Sequence, residues 1–275
     1  TVEWVERGLS AADLATLATL GSVLPALEML GLDERSGSAG PDSLPRLAEG
    51  LVAGALPALI SCAICNMHGG DAGASAFAAA LDRGALPRLK SLGLSSAAIG
   101  YAGLVALAPA LRRRPALEQL WLDGPFGDKG LAALVAPPDG ASARTTGVLA
   151  KLTYLRLVNT QISDAGCATL VAALDSDALP ALGEIYLEGS TASDASITAV
   201  VEALDRSIQR AVREQLRADY EQAMALCLKM GMKSCKELRN ATSIDWTEKG
   251  LSEPDLATLA TLGSVLPALK QLILD

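Results

Sequence analysis

Basic charge is in short supply: 23 Lys and Arg stand against 31 Asp and Glu, leaving a net charge of −8. Binding a phosphate backbone requires clustered cations, so nucleic acid is not an expected partner. Histidine occurs once, at His68, so a catalytic dyad or triad would have to use it. No Ser or Cys at a motif spacing points to it, and no nucleophile elbow, phosphate-binding loop or paired-carboxylate motif is present. The expectation is therefore a protein that is no enzyme and takes no cofactor. Aromatic residues make up 3% of the chain while half of it is hydrophobic, so the core must be assembled from Leu, Ala and Val in many small, similar pockets.

Five cysteines form no even, regularly spaced framework, which predicts reduced thiols and a cytoplasmic setting. The spacing Cys62-x-x-Cys65-x-x-His68, with Asp71 nearby, has the residue types of a metal site. Three residues along a strand invert the side-chain direction, however, so Cys62 points inward and Cys65 outward, and no metal is expected. The run from Leu51 to Gly70 carries no formal charge, but Pro57, Asn66 and His68 interrupt it, so no membrane span is expected. The chain begins at Thr1 without a signal peptide and reads as an excerpt of a longer protein.

What the sequence does contain is repetition. One phrase appears as Leu24-Pro25-Ala26-Leu27-Glu28-Met29-Leu30-Gly31-Leu32, again from Leu86 to Leu94, and again from Leu179 to Leu187. Less regular copies run from Pro57 to Ile64, Pro115 to Leu122, Leu149 to Leu157 and Pro267 to Leu274. The closing Leu-x-Leu has period two, so each phrase supplies one short strand with a single apolar face. Beyond it, Phe77/Leu81, Leu107/Leu111, Leu170/Leu174 and Val200/Leu204 repeat at a spacing of four, one face of a helix. Gly73, Gly103 and Gly166 stand nine positions past the strand and are expected to form a turn before that helix. Strand ends at Trp4, Leu32, Ile64, Leu94, Leu122, Leu157 and Leu187 lie 28 to 35 residues apart.

This register resembles the ribonuclease-inhibitor-like class of leucine-rich repeats, most closely along Leu152-Thr153-Tyr154-Leu155-Arg156-Leu157-Val158-Asn159-Thr160. The resemblance covers most of the chain and implies an α/β solenoid, or horseshoe, with parallel inner strands and outer helices. It departs at the family's Asn or Cys position, occupied here by Met67, Ala97, Pro125 and Thr160, so the side-chain ladder of that position must be weaker or replaced.

A longer period overlies the first, since Trp4 to Asp33 returns as Trp246 to Asp275 at an offset of 242 residues. The organisation expected is an array over 1–194 (one partial and six further strand units), a long helical insertion over 195–240, and the start of the next block over 241–275, with the natural protein continuing beyond it. Apolar residues from Ile197 to Cys227 predict one amphipathic helix over about Ala195 to Met230, ended by Gly231. Its stretch Ile208-Gln209-Arg210-Ala211-Val212-Arg213 matches the first half of a calmodulin-binding IQ motif. The second half departs at Glu214 and Ala218. Calmodulin through the 205–217 helix therefore stands beside a plain structural helix with Arg206, Arg210, Arg213 and Arg217 as its solvated stripe, and beside a helical dimer contact.

Residues between the inward Leu positions face the concave surface, and three successive units place Trp121, Arg156 and Tyr186 side by side, about 5 Å apart per strand. Gln119, Tyr154 and Glu184 flank them on one side, and Asp123, Val158 and Glu188 on the other. Trp, Tyr and Arg combine large area with polar tips, and an Arg can stack between rings. The function expected is a protein-interaction scaffold whose concave face holds a macromolecular partner through these residues. The alternatives are a small-GTPase regulator, since similar arrays occur in activators of the Ran pathway, with Arg156 as the electrostatic candidate, and the sensing arm of an immune-type receptor. Trp4 and Trp246 fall at inward positions and are expected in the core.

Overall fold

The computed structural model describes residues 1–20, 24–35, 40–135, 148–229, 231–232, 243–245, 251–262 and 271–273. Trp246 and the Pro137-Pro138-Asp139-Gly140 stretch lie outside them. Seven strands alternate with helices from the start of the chain: β1 (Val2–Val5), α1 (Ala11–Thr19), β2 (Met29–Asp33), α2 (Ser43–Gly50), β3 (Ser61–Cys65), α3 (Gly70–Asp82) and β4 (Ser91–Ser95). They continue as α4 (Tyr101–Arg112), β5 (Gln119–Asp123), α5 (Asp128–Val135), β6 (Tyr154–Val158), α6 (Asp164–Asp175) and β7 (Glu184–Tyr186). The long helix α7 (Asp194–Lys229) follows, then β8 (Ser243–Asp245), α8 (Glu253–Leu262) and β9 (Gln271–Ile273).

The chain divides into two compact units, Thr1–Ile208 and Gln209–Asp275, with the boundary inside α7. In the first, β1 to β7 form one open parallel sheet in chain order, the architecture of a leucine-rich-repeat solenoid. The alternation within each strand settles its faces. Leu30, Leu32, Cys62, Ile64, Leu92, Leu94, Leu120, Leu122, Leu155 and Leu157 are all buried against the helices. The expected helix pairs Phe77/Leu81, Leu107/Leu111, Leu170/Leu174 and Val200/Leu204 are buried as well. Both phenylalanines of the chain, Phe77 and Phe126, are wholly enclosed, so each truncation to Ala would cost about 3–5 kcal/mol. The uncharged run from Leu51 to Gly70 folds as loop, β3 and loop, and among the described residues no helix is long and apolar enough to cross a membrane.

Three readings of the sequence need correction. Gly73, Gly103 and Gly166 lie inside α3, α4 and α6 rather than in turns. They are needed because neighbouring units approach closely: a Cβ on Gly103 would stand 2.6 Å from Asp71 Oδ1, and one on Gly73 2.8 Å from Leu44 Cδ2. The left-handed conformation falls instead on the residue after β1, β3, β4 and β6, at Glu6, Asn66, Ser96 and Asn159 with φ between 51° and 60°. At the family's Asn position Met67, Ala97 and Thr160 are buried, whereas Pro125 is exposed and Phe126 takes the inward place. Trp4 packs against the core as expected but is only half-buried, because β1 is an edge strand with a neighbour on one side only.

Side chains reach laterally from unit to unit and satisfy backbone groups that a single unit leaves unpaired. Asp71 Oδ1 accepts from Gly100 N at 2.7 Å, Asp128 Oδ1 from Ser163 N at 2.8 Å, and Asp164 Oδ1 from Ser193 N at 2.7 Å. The buried Glu34 carboxylate accepts from the N–H groups of Arg7, Gly8 and Leu9 in the preceding loop. Of Arg112, Arg113 and Arg114, at the end of α4, two serve the preceding unit. Arg114 donates to the carbonyls of Leu81, Ala85 and Leu86 at the end of α3, and Arg113 pairs with Asp82 at 2.7 Å.

The long helix matches its predicted span within a residue at each end. Gly231, with φ +79°, follows its last turn and donates to the Leu228 carbonyl. Its buried stripe is discontinuous, contrary to expectation: Val200, Ala203 and Leu204 are buried near one end and Ala223, Leu226 and Cys227 near the other. Val201, Ile208, Val212, Leu216 and Tyr220 are exposed. Within the predicted arginine stripe, Arg206 pairs with Asp175 at 3.1 Å and Arg217 with Glu221 at 2.9 Å. In the second unit β8 and β9 form a two-stranded parallel sheet.

Candidate functional site

The sheet's face away from the helices carries a continuous row set by strand register, Glu3, Gly31, Ala63, Gly93, Trp121, Arg156 and Tyr186, each the Cα partner of the next. A parallel row runs Met29, Ser61, Ser91, Gln119, Tyr154 and Glu184. On the other side Asp123 partners Val158. The first four members of the central row carry little chemistry beyond Glu3, so the large side chains concentrate on β5, β6 and β7.

The three aromatic residues meet diagonally. Trp121 and Tyr154 pack edge to face with centroids 5.9 Å apart and an interplanar angle of 67°. Tyr154 and Tyr186 follow at 5.3 Å and 35°. Both separations lie in the range in which aromatic pairs attract beyond their area. Tyr154, rather than Arg156, therefore bridges the rings. Arg156 turns to Asp123, with Nη1 3.9 Å from Oδ1. That departs from the expectation of an arginine stacked between aromatic faces.

Burial pushes the Asp123 carboxyl above the ordinary aspartate value, and the Arg156 guanidinium opposes the shift without cancelling it. Tyr186 donates its hydroxyl to Glu184 Oε2 at 3.1 Å, and that carboxylate raises the phenol above its usual value. Gln119 Oε1 accepts from Ser91 Oγ at 3.2 Å. Glu188, beyond the end of β7, is exposed, and its carbonyl accepts from Asn159 N at 2.9 Å. The indole N–H of Trp121 and Oδ1 of Asp123 are enclosed and have no hydrogen-bond partner among the described residues. The surface thus offers the indole ring, a half-exposed guanidinium and two tyrosines.

Gly93 is the residue that sequence reasoning missed. A Cβ there would lie 3.2 Å from Trp121 Cε3, so the glycine is the seat of the indole rather than an empty position in the row. A Gly opposite a Trp in adjacent phrases was the available signal.

Around the metal-like spacing, Cys62 is buried and Cys65 half-buried, on opposite faces of β3. Desolvation pushes the Cys62 thiol up to about 12. His68 is exposed. Among the described residues no group of three or more His, Cys, Asp or Glu side chains is placed to hold a metal ion.

A family profile described as Leucine Rich repeat matches residues 86–108 and 148–171, the stretches that contain β4 with the start of α4, and β6 with the start of α6. Both segments are leucine-rich repeats. No curated protein matches the sequence. Among solved structures, "Leiomodin-1 Actin-Binding Site 2 (ABS2)" is similar at 16% identity over 75% of this chain and 94% of that one, with a TM-score of 0.42.

Proposed function

We propose that the chain is a protein-interaction scaffold which holds a protein partner on the open face of its sheet, across β5, β6 and β7. The observation that carries this reading is the contiguous run of Trp121, Tyr154 and Tyr186, kept solvent-facing on a sheet whose other face is fully committed to packing. A partner gains large rigid areas at little entropic cost. Arg156, Asp123, Gln119, Glu184 and Glu188 supply a polar surround that fixes orientation. A full helix in each of several units supports placing the array in the ribonuclease-inhibitor-like class.

The test is affinity capture from native extract with the full chain and with a Trp121→Ala, Arg156→Ala double variant. Loss of partners retained by the parent is the expected result. An unchanged set of captured proteins rejects this surface. The GTPase-regulator alternative gains no specific support, since Arg156 is turned toward Asp123; single-turnover hydrolysis across small GTPases separates the two, because a passive scaffold accelerates none.

A further inference from the structure

An apolar residue stands at every fourth position along most of α7: Leu204, Ile208, Val212, Leu216, Tyr220, Met224 and Leu228. Positions four apart form one continuous ridge, inclined to the helix axis. Leu204 is buried and Met224 half-buried, so both ends of the ridge's middle section meet the rest of the chain. Its centre does not. Every residue from 211 to 222, about three turns, is exposed. Val212, Leu216 and Tyr220 are 53%, 63% and 60% exposed.

Among the described residues, the centre of this ridge contributes to no packed core. A three-turn helix without tertiary packing is marginal in water. Its local support includes the pairs Gln215 with Asp219 at 2.7 Å and Arg217 with Glu221 at 2.9 Å, each of which adds only a few tenths of a kcal/mol. An apolar stripe that such a helix keeps in water is a contact surface without its partner. The charges beside it say which partner. Residues 205–213 hold three arginines and one aspartate, while 214–222 hold one arginine, two glutamates and one aspartate. Arg206 is paired with Asp175, and the first half stays basic without it. A helix basic in one half and acidic in the other is complementary to itself reversed.

We propose that the ridge Ile208, Val212, Leu216 and Tyr220 of α7 is a self-association surface that receives the same ridge of a second copy of this chain, with the two helices antiparallel. Ridges of the four-apart kind interdigitate when helices cross at about 50°. The contact is isologous, one patch meeting itself about a two-fold axis, so it closes at a dimer. Antiparallel pairing sets the basic half of each helix against the acidic half of the other. A parallel pair would set like charges together. Because the contact spans about three turns, it falls in the small, transient class below about 1,200 Å². The dimer therefore forms at micromolar or higher chain concentrations, and it uses none of the residues on the open sheet face.

The experiment is sedimentation velocity on the full chain from about 2 to 200 μM, which should show a concentration-dependent dimer. Leu216→Lys, at the centre of the ridge, should weaken association by about twentyfold. Gln209→Glu with Arg213→Glu, or Asp219→Lys with Glu221→Lys, brings like charges together and should weaken it by about tenfold. All four charge substitutions together restore the attraction and return association toward the parental level. These positions are all exposed, so the fold is retained, and circular dichroism at low concentration checks it. A chain that is monomeric throughout the range overturns the proposal, including one that instead binds added calmodulin in a Leu216-sensitive way. Association insensitive to Leu216→Lys overturns it too. So do charge substitutions whose weakening accumulates when combined, since antiparallel complementarity requires recovery.

Discussion

Trp121 rests its indole closely on Gly93 of the neighbouring strand: an added Cβ would stand 3.2 Å from Cε3, close enough that the ring would have to give way. Strand alternation brings both residues to the open face, and register makes them Cα partners. The seat therefore fixes the ring angle on which the contact with Tyr154 depends.

Gly93→Val should tilt the indole off the sheet without opening the core, because Leu92 and Leu94 on either side keep their buried places. We expect a red-shifted Trp121 emission and about tenfold weaker partner capture, with a denaturation midpoint close to parental. Unchanged capture with a shifted emission would separate the ring's orientation from its function.

Arg114→Ala should remove the donor group shared by three carbonyls at the end of α3. Leaving them partly desolvated should cost about 2 kcal/mol in chemical denaturation. Arg114→Lys should recover only part of the loss, since an ammonium lacks the planar fork. Full recovery by Lys would show that charge alone matters there.

Gly103→Ala runs against helix propensity. Ala normally stabilises a helix interior by about 1 kcal/mol over Gly. Here the Cβ would lie 2.6 Å from Asp71 Oδ1 and 2.9 Å from Asp71 Cα, and Asp71 holds the N–H of Gly100. A net loss of about 1–3 kcal/mol is expected, with faster amide exchange at Gly100. A stabilised variant would refute the close-approach account.

Asp123 gives a pH signature. Its carboxyl sits above the ordinary value chiefly through burial, with Arg156 opposing. The folded state therefore binds the proton more tightly than the unfolded chain, and the stability linked to that proton is present below the unfolded pKa and lost as pH rises through the folded one. Asp123→Asn should be at least as stable as the parent at neutral pH and show a flatter thermal midpoint between about pH 3 and 7. A marked loss at pH 7 would mean that the Arg156 contact outweighs desolvation.

The sequence makes legible whatever depends on short-range periodicity. Leu-x-Leu gives the strand faces, Phe77/Leu81 and its counterparts the helix faces, and the apolar spacing from Ile197 to Cys227 the extent of α7. The row Trp121, Arg156, Tyr186 follows from register alone. Contacts between units escape such reading, because they join residues about thirty positions apart through stacking that no local pattern encodes. Hence Arg156 was expected between rings and lies against Asp123, and Gly103 was expected to turn the chain and instead admits Asp71. Pro125 and Phe126 show the same limit at single-residue scale, where one inserted kink decides which side chain turns inward.

The lateral links also bear on how such a chain can lengthen and shorten over generations. Asp71, Asp128 and Asp164 each present an acceptor to the following unit, and Arg114 presents donors to the preceding one. Copying a whole unit carries both halves of the linkage with it and creates a junction that is already matched. A deletion ending within a unit strands an acceptor on one side and an amide or carbonyl on the other. Growth in whole units is therefore the permitted path, and the likeness of Trp4–Asp33 to Trp246–Asp275, in the same strand register and with the same helix cap, fits that path.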